Sequence, residues 1–213
     1  MKRRDFVGSL AGFGASTLVL PAGAQVVARA GIDFVKLERM VPVEAPTGKI
    51  ELIEFFWYDC PHCNAFDPAL TQWLKKAPKD VFFKRIPVAF RDDFVPQQRL
   101  FYALEAMGLI DKLHVRVFAA IHEQKQNLSK GDAIIDWVVK QGVDKAKFVE
   151  HFNSFSVSTK ATRAHQFQEA YAVEGVPAFG VAGRFYTDGE RARTMDRALQ
   201  VVEFLLSEVR QSR

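Results

Sequence analysis

Cysteine is the scarce residue of this chain: 213 residues hold two. That excludes a framework of structural disulfides, and no cysteine lies near the N-terminus to take a lipid anchor. The two can pair only with each other or with a partner protein. Their spacing, Cys60-Pro61-His62-Cys63, argues against a structural bridge, because so small a loop removes little entropy from the unfolded chain. A zinc site built on Cys60 and Cys63 lacks further ligands. His62, His114, His122, His151 and His165 show no paired ligand spacing, and the four remote from the cysteines are expected on the surface or at a rim. No metal is expected.

A long apolar run is also missing. The one candidate, Phe6 to Leu20, is short and broken by Gly8, Gly12 and Gly14, which excludes a comfortable membrane span. With Lys2-Arg3-Arg4 before it and Ala22-Gly23-Ala24 after it, the stretch reads as a cleaved export signal over 1–24. Arg3-Arg4-Asp5-Phe6-Val7 also fits a twin-arginine motif, and both export routes stay open. Either one carries the protein out of a bacterial cytoplasm. The formal charge of +4 draws half its value from this segment, where Lys2, Arg3 and Arg4 stand against Asp5. The remaining basic residues are scattered and form no nucleic-acid motif.

Aromatic residues are plentiful, with 19 phenylalanines, and they mark the core. Phe34 to Leu37 reads as a first strand, and Pro42, Pro46 and Gly48 mark a loop. Ile50 to Trp57 is nearly continuous apolar sequence, as in a central strand covered on both faces. A helix over 64–76 follows, with Pro68 predicting a kink. Val81 to Phe90 reads as a second core strand with Pro87 near its edge or exit. From Pro96 the pattern turns helical, over 97–107, 110–124, 132–141, 144–152 and 159–173. Gly108 and Gly142 suit helix ends, and Asp132 suits a helix start. Pro177 to Tyr186 reads as a hairpin with an Ala-Gly turn, and a closing helix covers 195–209. Helices inserted into a strand frame predict one α/β fold carrying an insertion.

A strand that delivers Cys-x-x-Cys to the first turn of a helix is the redox signature of the thioredoxin-like fold. Unpaired N–H groups and the helix dipole favour a thiolate at Cys60, and His62 adds positive charge and a potential N–H···S bond. A stabilised thiolate makes Cys60 a good leaving group and the disulfide oxidising. Cys63 is then the resolving, buried partner. Glu54, in an otherwise apolar strand, demands a basic partner if buried, and Arg85 or Lys84 on the next strand can supply it. Trp57 and Tyr58 fit either core packing or the edge of a peptide groove.

Glu54-Phe55-Phe56, then Cys60-Pro61-His62-Cys63, then Val176-Pro177-Ala178 beyond a helical block resembles the DsbA family of periplasmic thiol:disulfide interchange proteins. The resemblance implies a thioredoxin-like fold over 25–93 and 160–213 with an all-helical insertion over 94–159. It implies a monomer in the periplasm that needs no cofactor and donates its disulfide to reduced exported proteins. A DsbB-type inner-membrane quinone reductase would reoxidise it. By the same resemblance Cys60 is the nucleophile, Cys63 resolves, and Pro61 and His62 tune the pair. Glu54 helps move the Cys63 proton, and Val176 with a cis Pro177 docks the substrate. Two departures stand out: the second cysteine pair of several members is missing, and Pro87 lies where some relatives carry polar residues. A reductase or isomerase on the same dithiol is the competing reading. Residues 25–49 are too short for an isomerase's dimerisation domain. A non-catalytic peptide-binding module is the third.

Overall fold

The computed structural model describes residues 27–212; the expected export signal lies outside them. A five-stranded sheet runs in the order β1-β5-β4-β2-β3. The strands are β1 (Val35–Lys36), β2 (Ile50–Phe56), β3 (Val81–Pro87), β4 (Ala178–Val181) and β5 (Phe185–Asp188). β2 pairs in parallel with β3 and antiparallel with β4, so it has neighbours on both sides and every one of its residues is buried. Its near-continuous apolar sequence is the signature of that position. β3 is an edge strand, with Val81 to Arg85 half-buried, and it ends at Pro87 instead of reaching Phe90. A proline without an N–H is tolerated at an edge and closes the ladder there.

Alternation along β2 sorts the layers. Ile50 and Leu52 join Phe66 and Leu70 of α1 (Pro61–Leu74) and Val202 and Leu205 of α7 (Met195–Gln211). Ile53 and Phe55 face the opposite way, into a core shared with the helices between β3 and β4. Those are α2 (Val95–Ala106), α3 (Ile110–His122), α4 (Gly131–Lys140), α5 (Lys145–Phe152) and α6 (Phe155–Ala170), after a single 3-10 turn over Asp92–Phe94. α6 begins earlier than its apolar spacing predicts, because Ser154 caps it by accepting from the Val157 N–H. α6 is continuous through position 160, so the expected boundary at 159/160 falls inside a helix. Asp132 lies inside the first turn of α4 rather than capping it; Lys130 holds the cap position without a side-chain bond. Gly108 and Gly142 take φ of 67° and 82° just past α2 and α4, a conformation that costs glycine little. The hairpin turns on Ala182 and Gly183, both at positive φ, as a two-residue turn between twisted strands requires. No helix among the described residues is long and apolar enough to cross a membrane.

Candidate active site

The carboxyl end of β2 leads through Trp57, Tyr58 and Asp59 into α1, and Cys60 is the helix cap. Its backbone is extended, and its sulfur accepts from the Cys63 N–H at 3.4 Å. Pro61 takes the first helical position, where a missing N–H leaves nothing unsatisfied. α1 continues through Pro68. Both thiols are free. From across the site the Val176 carbonyl accepts from the Cys60 thiol at 3.4 Å, and the Val176–Pro177 peptide is cis. The structure thus brings together residues far apart in sequence.

The two sulfurs are electrostatically unlike. Cys60 is held down at about 6, first by the hydrogen bond it receives from the Cys63 thiol, against burial, which raises it. The N–H groups of Cys63 and His62 and the charge of His62 add to the lowering. Cys63, only 1% exposed, is pushed well above its ordinary value by burial, then by its bond to Cys60 and the Cys60 charge; Glu54 adds to the rise. The expected ring N–H···S bond of His62 is not formed. From the second position of α1 its imidazole projects outward, exposed, and it makes no hydrogen bond among the described residues. What it contributes to the lowering of Cys60 comes from its backbone N–H and its charge. A groove of about 1080 Å³ opens beside it, lined by Val35, Leu37, Tyr171, Val176 and Pro177. Trp57 does not line that groove: its ring stacks on Phe94 at 3.7 Å.

Glu54 is 2% exposed, on the β2 face turned toward α1. Register decides its partner. Arg85 lies directly opposite Glu54 in the parallel ladder, and its Nε donates to Glu54 Oε2 at 2.8 Å. Lys84, one residue along, points to the other face, where it meets Glu44 at 2.9 Å and Glu51 at 3.3 Å. Burial raises Glu54 to about 7, Arg85 pulls it down, and Asp67 pushes it up.

Sequence reasoning missed Asp67 and gave Tyr58 and His114 no part in a network; Tyr58 is core, 1% exposed. Asp67 is buried on α1 one turn beyond Cys63 and accepts from Arg85 Nη2 at 2.9 Å. Its four-residue spacing from Cys63 was the available signal. His114 is 4% exposed, not at a rim, and His122 bonds the Tyr58 carbonyl at 2.8 Å. His114 shares the buried face of α3 with Phe118 and Ile121, at four- and seven-residue spacing, which is how its burial could have been read. Among the described residues no cluster of side chains is placed to hold a metal ion.

Residues 83–200 match the model of the DSBA-like thioredoxin domain. The chain is 44% identical over 179 residues to the thiol:disulfide interchange protein DsbA of Burkholderia cepacia, covering 84% of each chain. To the protein of the same name from Bordetella pertussis it is 42% identical over 201 residues, covering 94% of each. The crystal structure of Pseudomonas aeruginosa DsbA superposes with a TM-score of 0.82 at 37% identity, over 87% of this chain and 96% of that one.

Proposed function

The chain belongs to the DSBA-like thioredoxin family and is a protein disulfide oxidoreductase, and from that premise we propose how its residues divide the work. Cys60 is the sulfur that clients attack. A client thiolate bonds to Cys60 Sγ, the Cys60–Cys63 bond breaks, and Cys63 leaves with the electron pair and takes up a proton. The client's second thiolate then attacks its own sulfur in the mixed disulfide and expels Cys60 as a thiolate. A client dithiol has become a disulfide, and the protein holds two thiols. The observation that carries this assignment is the contrast between the two sulfurs: the one at the helix cap ionises near 6, and the buried one keeps its proton. A thiol of lower pKa leaves faster, so the mixed disulfide at Cys60 resolves toward the client.

Pro61 and His62 set the local field, and Glu54, close enough to act on Cys63, supplies and recovers its proton. Once Cys60 has lost its proton it no longer donates to Val176, and that carbonyl can take an N–H from an extended client segment beside Pro177. The clients are exported proteins in the periplasm, and a DsbB-type quinone reductase of the inner membrane reoxidises the dithiol. The protein acts as a monomer, without a cofactor.

Equilibration of the dithiol in graded glutathione buffers tests the direction. The expected potential lies far above thioredoxin's about −270 mV, toward the about −120 mV that is the reference value for a DsbA and is not worked from this chain. A value at thioredoxin's level overturns the oxidase assignment and identifies a reductase.

A further inference from the structure

The polar chain beneath the dithiol does not stop at Arg85. Asp67 Oδ1, which accepts from Arg85, also faces His114 Nε2 at 3.4 Å. The His114 ring arrives from α3, and the rings of Phe56, Phe101 and Phe118 meet it edge to face. Its Nδ1 lies 3.0 Å from the Tyr58 hydroxyl. Burial pushes Tyr58 far up, so the hydroxyl keeps its proton, and with a carboxylate facing Nε2 the tautomer that suits both neighbours is the one in which Nδ1 accepts from Tyr58. The remaining ring proton therefore sits on Nε2, turned toward Asp67 but off the line of a well-formed bond, which leaves Nε2 without an aligned acceptor.

We propose that His114 is a positioning residue for disulfide exchange: from the helical block it governs how Arg85 is shared between Asp67 and Glu54, and so how readily Glu54 exchanges a proton with Cys63. The proposal rests on the reading of Glu54 as the proton partner of Cys63. Two buried carboxylates draw on one guanidinium here, and what relieves one of them releases the cation to the other. The groups facing His114 are Asp67 on α1, Arg85 on β3 and Tyr58 ahead of α1, with Glu54 of β2 beyond Arg85. On its own helix His122 is held by the Tyr58 carbonyl. Burial and the Arg85 charge lower His114, and Asp67 opposes them. The neutral ring then turns the positive end of its N–H dipole on Asp67. Without the ring, Asp67 claims Arg85 more fully and Glu54 holds its proton more tightly.

The proton matters in both half-reactions. Glu54 gives it to Cys63 as the Cys60–Cys63 bond breaks. During reoxidation Cys63 returns it, and its thiolate attacks Cys60 Sγ of the mixed disulfide and expels the oxidant's thiolate.

The test mixes reduced protein with glutathione disulfide and follows closure of Cys60–Cys63 from the Cys60–glutathione mixed disulfide between about pH 5 and about pH 9. In the parent the rate inflects near the Glu54 value of about 7, and Glu54→Gln abolishes the inflection. His114→Leu moves it upward and slows closure at neutral pH about three- to tenfold. His114→Gln, which can still donate to Asp67 and accept from Tyr58, restores the parental profile. His114→Asn, too short to meet both, moves it as leucine does and serves if the leucine variant does not fold. An unmoved inflection in the leucine or asparagine variant, or a glutamine variant that shifts as far as leucine, overturns the role of His114 alone. An inflection that survives Glu54→Gln overturns the reading of Glu54 beneath it.

Discussion

Replacing Cys63 with alanine removes the largest influence holding Cys60 down, the hydrogen bond from the Cys63 thiol. The consequence can be followed as stability. In the reduced protein Cys60 ionises at about 6 against an ordinary 9.0. Between those values the unfolded chain binds the proton and the folded chain has released it, so stability rises with pH across this window. It is lost as pH falls through the folded value. At about 1.4 kcal/mol per pH unit the full separation is worth about 4 kcal/mol. The sulfur lies at the helix cap, 7% exposed, and halving for solvent screening leaves about 2 kcal/mol. Cys63→Ala moves the Cys60 ionisation upward, while the backbone N–H groups stop it short of the unfolded value. Two measurements on reduced protein check this: ultraviolet thiolate absorbance against pH, and urea denaturation at about pH 6 and about pH 8. Glu54, raised to about 7, loses stability over the same interval in both proteins, so the comparison is one of differences: from about pH 6 to about pH 8 the stability of the parent should shift further upward than that of the variant. If Cys60 in Cys63→Ala still ionises near 6, or parent and variant shift equally between the two pH values, the sulfur–sulfur hydrogen bond is not what holds the thiolate.

Arg85→Met leaves Glu54 and Asp67 buried without their cation, at a cost of about 3–5 kcal/mol at neutral pH; denaturation at lower pH should show a smaller loss as the carboxylates take up protons. Gly180→Ala places a methyl 2.8 Å from Tyr171 Cζ, in the middle of β4, and calorimetry should register about 1–3 kcal/mol of destabilisation. Thr194→Ala removes the α7 cap, which accepts from the Arg197 N–H at 3.1 Å; it should cost about 1 kcal/mol and leave the Cys60 titration unchanged.

The framework was legible because it rests on local rules. β2 announces itself as an unbroken apolar run, Cys60 and Pro61 fit a helix start, and Ala182-Gly183 fits a two-residue turn. The approach of Val176 to Cys60 came from family resemblance, since no local rule joins residues so distant in sequence. The buried network was only half legible. Glu54 betrayed itself as a charge in an apolar strand, yet the choice of Arg85 over Lys84 follows from the β2–β3 register, which the sequence leaves open. His114 was invisible as a partner because α3 meets α1 through tertiary packing alone. The outward His62 ring shows the same limit: sequence fixes that it stands between the cysteines, not where its side chain points.

The difference between the two cysteines reduces to one asymmetry of depth. A hydrogen bond between two thiols has a direction: the donor keeps its proton, and the acceptor is helped to lose its own. Cys60, at the cap, collects backbone N–H groups and lies against the Val176 carbonyl, whereas Cys63 sits inside the first turn against the sheet. The anion therefore forms at the helix cap, and the proton stays on the buried sulfur, within the field of Glu54. The identity of the residues between the cysteines can alter how far Cys60 is lowered, through N–H placement and charge. It cannot exchange the roles, because that would require Cys63 to come out of the core. In the proposed scheme, disulfide donation through Cys60 follows from the position of the dithiol on α1, and the tuning of its strength is assigned to Pro61, His62 and the charges beneath.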